Sequence, residues 1–164
     1  MKIAVVLVLV LVLVLVAIVS VMGLPYIYRL LDLYTANQEK FLPIAQANLT
    51  EDLYKLDFSP PRSGYFEVGL LSKDGVSVET LQTLSMNGHL KIERGRDVLW
   101  EMDIDKPLHF RSPNNPEIVN KAILFQFPVN TLINSTPLKI SYQPESDEPN
   151  TKFPIIYVSI SAAY

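Results

Sequence analysis

Leu90-Lys91-Ile92-Glu93-Arg94-Gly95-Arg96-Asp97-Val98-Leu99-Trp100-Glu101-Met102-Asp103-Ile104-Asp105 is the stretch whose pattern decides the fold. Leu90 and Ile92 point one way and Lys91 and Glu93 the other. Arg94-Gly95-Arg96-Asp97 supplies a turn. The return strand then places Val98, Trp100, Met102 and Ile104 inward, and Glu101, Asp103 and Asp105 outward. Such alternation predicts a hairpin with one buried and one solvated face, the habit of antiparallel sheets.

The same period of two recurs on both sides. Upstream, Tyr54-Lys55-Leu56-Asp57-Phe58 alternates, and Ser59-Pro60-Pro61-Arg62-Ser63-Gly64 is a dense turn cluster. Tyr65 to Leu71 follows, with Phe66, Val68 and Leu70 on one face. Glu79 to Ser85 is the one helix-like piece in this region, stopping near Asn87-Gly88. Downstream, the loop Ser112-Pro113-Asn114-Asn115-Pro116 leads to a strand over Ala122 to Phe127, with Ile123, Phe125 and Phe127 on one face. Leu138 to Tyr142 and Ile155 to Ser161 are further strands, separated by the acidic loop Pro144 to Asn150. Six or seven strands against one short helix predict a single antiparallel β-sandwich over residues 48–164.

The N-terminus differs in kind. The 20 residues from Ile3 to Met22 carry no charge and are almost all Val, Leu, Ile or Ala. As a helix they would span about 30 Å, the thickness of a bilayer core. Their Val/Leu alternation would suit a strand in water, but in lipid only a helix satisfies its own backbone. Residues 1–24 are therefore expected to form a transmembrane signal-anchor. Cleavage as a signal peptide is the alternative, although Val21-Met22-Gly23 is a poor cleavage site. Lys2 on one side, and Arg29 and Lys40 offset by Asp32 and Glu39 on the other, leave the charge rule nearly tied. The short n-region favours a cytoplasmic N-terminus and an extracytoplasmic domain, periplasmic in a Gram-negative cell. Residues 25–47 would be a partly helical juxtamembrane spacer, with Tyr26 and Tyr28 at interfacial depth.

Composition excludes several classes. With Lys2 set aside, 13 basic residues face 17 acidic ones, a net charge of −4. An acidic domain repels phosphate backbones, so nucleic acid is not the expected partner, and no polybasic patch flanks the apolar segment to sense anionic lipid. The chain contains no cysteine, which removes disulfides, thiolate nucleophiles, Cys-ligated zinc and a lipidated cysteine together.

Chemistry-bearing constellations are few. Glu101, Asp103 and Asp105 share a strand face, about 7 Å apart at steps of two. A calcium loop would add a sharp turn and backbone carbonyls, so a solvated strand face paired with Lys91 across the hairpin is the simpler expectation. His89 and His109 are the only histidines. Neither stands at a familiar motif spacing, and no nucleophile elbow, zinc-protease helix, Walker loop or dinucleotide loop occurs. No cofactor or metal is implied, and the chain is not expected to be an enzyme. Loops on a rigid sandwich are the better candidates. Arg94, Arg96 and Asp97 at the hairpin tip, and Arg111 with Asn114 and Asn115 beyond it, are the residues suited to charge-assisted protein contacts. Asn48-Leu49-Thr50 and Asn134-Ser135-Thr136 match the glycosylation tripeptide, which matters only in a eukaryotic secretory pathway.

Leu56-Asp57-Phe58, Ser63-Gly64-Tyr65-Phe66-Glu67-Val68, the helix at Glu79–Ser85, the Leu90-Lys91-Ile92 hairpin and the closing Ile155–Ile160 strand together resemble an uncharacterised bacterial family of small envelope-anchored β-sandwich proteins. The resemblance covers roughly residues 45–164 and implies no catalytic residues. Members of that family look like lipoproteins with an anchoring cysteine; here a membrane helix would take its place. The function expected from all this is a membrane-anchored, non-enzymatic module that binds a protein in the envelope, of the immunity or accessory-subunit type. A lipid- or carbohydrate-binding sandwich is the second reading and a small hydrolase using His89 or His109 the third. Sugar stacking would require an exposed Trp100, whereas its alternation with Met102 and Ile104 places it inward.

Overall fold

The computed structural model describes residues 7–14, 16–17, 23, 25–28, 31, 42–50, 53–111, 118–132, 135–146 and 151–161. Among the described residues, nine strands form two antiparallel sheets. They are β1 (Ala45–Asn48), β2 (Tyr54–Phe58), β3 (Gly64–Ser77), β4 (Gly88–Arg94), β5 (Asp97–Ile104), β6 (His109–Arg111), β7 (Ile118–Val129), β8 (Leu138–Pro144) and β9 (Ile155–Ile160). The larger sheet runs β1-β9-β3-β7-β6 and the smaller β2-β8-β4-β5. One short helix, α1 (Val78–Thr83), joins β3 to β4, with the Ser77 hydroxyl accepting from the Thr80 amide at 3.2 Å as its cap.

The core lies between the sheets, where the alternating residues of both meet: Tyr54, Leu56 and Phe58 of β2, Phe66, Val68 and Leu70 of β3, Leu90 and Ile92 of β4, and Ile156 and Val158 of β9. Two buried tyrosines tie this core to loops. Tyr54 donates to the Phe153 carbonyl at 2.7 Å and Tyr142 to the Met86 carbonyl at 2.8 Å, so each phenol is satisfied although buried. Burial is the main cause pushing both phenols well above their ordinary pKa.

Several local expectations shift. β1 and β6 escape the sequence pattern. Ala45-Gln46-Ala47-Asn48 has little strand propensity and is a strand because it pairs with β9, so strand begins within the stretch expected to be spacer. β3 runs on through the turn-like Lys73-Asp74-Gly75, where Gly75 takes φ +77°. α1 covers Val78–Thr83 rather than Glu79–Ser85. A bulge in β5 lets Ile92 pair with Trp100 but Glu93 with Val98, leaving Leu99 as the extra residue. Val98, expected inward, is therefore turned out and 46% exposed. A second irregularity pairs Val68 with Phe125 and Gly69 with Ile123. Phe125 stays against the core, while Ile123 is buried outside that cluster, so the two do not share a face.

Gly69 marks this second irregularity. A Cβ there would fall inside van der Waals contact of the Ala122 carbonyl oxygen and 2.9 Å from the Tyr157 ring, both in closely packed surroundings. Gly69→Ala is accordingly expected to lower stability by about 2 kcal/mol through overpacking. A chemical denaturation midpoint within error of the parent's would contradict this close approach.

Residues 7–14 are helical, with apolar side chains exposed. Among the described residues no helix is long and apolar enough to cross a membrane; part of Ile3–Met22 lies outside them. Residues 25–28 are helical and touch the sandwich. The Tyr26 ring meets Tyr65 edge-on at 5.5 Å, and the Arg62 guanidinium lies 4.8 Å over the Tyr28 ring. Of the two tyrosines expected at interfacial depth, Tyr26 thus meets the start of β3 and Tyr28 the turn before it. Most of the Arg29–Ala47 stretch, through residue 41, lies outside the described residues.

Candidate functional site

The hairpin tip forms as its sequence dictates. Arg94 pairs with Asp97 across a two-residue loop, and Gly95 takes φ +63°, the left-handed conformation such loops require. Arg96 and Asp97 are exposed. Arg94 is half-buried, and its Nε is sequestered without a hydrogen-bond partner. The tip therefore offers one exposed cation and one exposed anion, with Arg94 held more by packing than by solvent.

Beyond the tip, the outer face of the smaller sheet is polar. The expected pairing of this acidic face with Lys91 does not form among the described residues, although Lys91 and Glu101 are register partners. Lys91 instead pairs with Glu93 along its own strand at 2.9 Å. Glu101 is taken by His89, whose Nε2 lies 3.2 Å from Glu101 Oε1 and whose Nδ1 lies 2.8 Å from Asp103 Oδ1. Both ring nitrogens thus face carboxylates, an arrangement that favours the imidazolium. The hydrogen bond to Asp103, then that to Glu101, raises the His89 pKa above the ordinary imidazole value. Because the folded pKa exceeds the unfolded one, the stabilisation is fully present below about pH 6.5 and is lost as pH rises through the folded value. Exposure keeps the effect small. An NMR titration is expected to place the His89 midpoint above the ordinary range, and to bring it back toward that range in Asp103→Asn. A midpoint insensitive to that substitution would contradict the contact.

Arg111, expected at a polar surface edge, is instead turned onto the outer face of the larger sheet. It is only 15% exposed and is committed to Glu67, which is fully buried. Nη1 donates to Glu67 Oε1 at 3.3 Å, and Nη2 stands 3.1 Å from Oε2, an ionic contact without hydrogen-bond alignment. Oε1 also accepts from Ser159 Oγ at 2.9 Å and Tyr157 Oη at 3.3 Å. Lys121 lies 4.7 Å over the Tyr157 ring. Burial lowers the Lys121 pKa, opposed by Glu67 and reinforced by Arg111. This cluster was not legible in the sequence, because nothing in Tyr65–Leu71 marks its second face as buried. Asn114 and Asn115 lie outside the described residues.

Trp100 is inward and half-buried, 5.4 Å from the Phe127 ring and 6.2 Å from Phe125. A groove of about 420 Å³ crosses the outer face of the smaller sheet, lined by Lys55, Asp57, Glu93, Lys139 and Ser141 with the aliphatic Leu53 beside them; among the described residues no aromatic side chain lines it. Among the described residues, no group of three or more histidines and carboxylates is placed to hold a metal ion. Comparison with known protein families and with characterised proteins finds no match for this chain.

Proposed function

We propose that the protein is a membrane-anchored, non-enzymatic binding module whose sandwich recognises a protein partner in the cell envelope. The observation that carries this reading is the exposed β4–β5 tip, Gly95-Arg96-Asp97, beside a strand that among the described residues is an edge of its sheet. Rigid loops on a sandwich recognise partners without losing much conformational freedom on binding. The anchor is supported by the uncharged run Ile3–Met22 and by the exposed apolar side chains of residues 7–14. The resemblance to envelope-anchored sandwich proteins points the same way.

The competing readings have less support. Among the described residues, the groove on the smaller sheet is lined by charged and aliphatic side chains and no ring, which suits water better than sugar stacking or lipid. His89 is a poor general base when both its nitrogens face carboxylates.

The test is cross-linked affinity purification of the tagged full-length protein from native membranes, read by mass spectrometry. A saturable, stoichiometric protein partner is expected, weakened by Arg96→Glu combined with Asp97→Lys. The bait mass is expected to retain Ile3–Met22. A bait recovered alone would overturn the binding reading, and a bait cut near Gly23 would overturn the anchor.

A further inference from the structure

The two sheets are unequal, and the inequality falls on one side. Among the described residues, the larger sheet has five strands and the smaller four. On one side β1 and β2 pack together. Toward the other, Trp100 of β5 meets Phe125 and Phe127 of β7, so β5 faces β7. Among the described residues, β6 then has no strand of the smaller sheet opposite it. Phe110 pairs with Ala122, a core residue, and so lies on the core side of β6, yet it is 41% exposed. Leu108 beside it is 51% exposed. Apolar side chains on the inner face of a sandwich, uncovered at one edge, are what an added strand would bury.

Charge determines which strand fits. The outer face of β5 carries the exposed carboxylates Glu101 and Asp103, with Asp105 just beyond, and among the described residues His89 is the cation paired with Glu101 and Asp103. Its inner side carries Trp100, Met102 and Ile104. A second copy of β5 laid alongside would set carboxylate against carboxylate, which is unfavourable across a strand pair. A strand alternating apolar and basic residues would meet acid with base on the outside and place its apolar residues toward Phe110 and Leu108.

Building on the protein-binding reading, we infer that the partner supplies an extended segment of alternating apolar and basic residues, which pairs with β5 as a fifth strand of the smaller sheet. Main-chain hydrogen bonds along the edge give the affinity, and the acidic outer row selects the partner.

The probe is a synthetic peptide of alternating valine and lysine, 8 residues long to match β5, titrated onto the full chain. Trp100, the only tryptophan, is the reporter. Saturable binding with a blue shift of Trp100 emission is expected, and a valine–glutamate peptide is expected to bind at least about tenfold more weakly. Glu101→Lys combined with Asp103→Lys should invert that preference; both positions are solvent-exposed, so the fold is retained. A lysine peptide N-methylated along one edge, which cannot pair, should lose binding. Undiminished binding of the N-methylated peptide would overturn strand pairing in favour of simple charge attraction. Absence of any saturable response, or a dimer of this chain formed through β5, would overturn the inference. Should the peptide fail while a protein partner still cross-links at the Arg96–Asp97 tip, the inference about the edge falls and the binding reading stands.

Discussion

Replacing Arg111 with methionine is expected to lower the unfolding free energy by about 3 kcal/mol, because it strands a buried carboxylate. Glu67 is fully enclosed on the outer face of the larger sheet and takes its compensation from Arg111, Ser159, Tyr157 and the nearby Lys121. The remaining donors hold the loss toward the lower end of the range for breaking a buried pair. Glu67→Leu is expected to cost more than Arg111→Met, since it leaves two cations without their shared anion and two hydroxyls without their acceptor. Arg111→Lys retains the charge but not the forked geometry and should fall between the parent and Arg111→Met. Urea titration of the full chain, followed by tryptophan emission, measures all three. A loss below about 1 kcal/mol for Arg111→Met would mean that solvent reaches the pair and that it behaves as a surface ion pair.

Phe127→Ala is expected to be comparably severe, at about 3–5 kcal/mol. Phe127 is fully buried and forms the centre of an aromatic group, stacked on Phe125 at 6.2 Å and close to Trp100 and Phe66 at 5.4 and 6.3 Å. Removing it leaves a cavity between the sheets at the place where β5 is held against β7. The substitution should therefore also shift Trp100 emission to the red, whereas Phe127→Leu should keep most of both properties. Destabilisation without an emission change would show that Trp100 is held by other contacts.

Most of the sandwich was legible because its strands bury one face. Tyr54–Phe58, the hairpin segments Leu90–Ile92 and Trp100–Ile104, and Leu138–Tyr142 alternate in sequence and do so in space, and Phe66, Val68 and Leu70 share the core side of β3. What the pattern missed follows from physics that pattern does not carry. β1 exists by pairing rather than propensity, and β6 is only 3 residues long. Bulges at Leu99 and beside Gly69 each change the count by one residue, which turns every later side chain to the other face. Val98 and Ile123 were misplaced for that reason alone.

The candidate site divides similarly. The Arg94–Asp97 tip was readable from its turn chemistry, and Arg96 and Asp97 are exposed as that chemistry suggests. The role of Arg111 was not readable. An arginine next to a Ser/Pro/Asn loop resembles a surface residue until the burial of Glu67, 44 positions earlier in the chain, is known. The His89 bridge was hidden for a different reason: direct register opposes Lys91 to Glu101, yet the lysine is drawn along its own strand to Glu93 and leaves the diagonal contact to histidine.

Protein binding through the β5 side, as proposed, places the partner next to the hairpin tip and the edge of the smaller sheet. Photo-cross-linking in native membranes tests it most directly, with benzoylphenylalanine placed either at Asp97, at the start of β5, or at Lys55 on β2, the opposite edge strand of the same sheet. A discrete, saturable protein adduct is expected from Asp97 and little or none from Lys55. Adducts of equal yield from both positions, or none from Asp97, would contradict it.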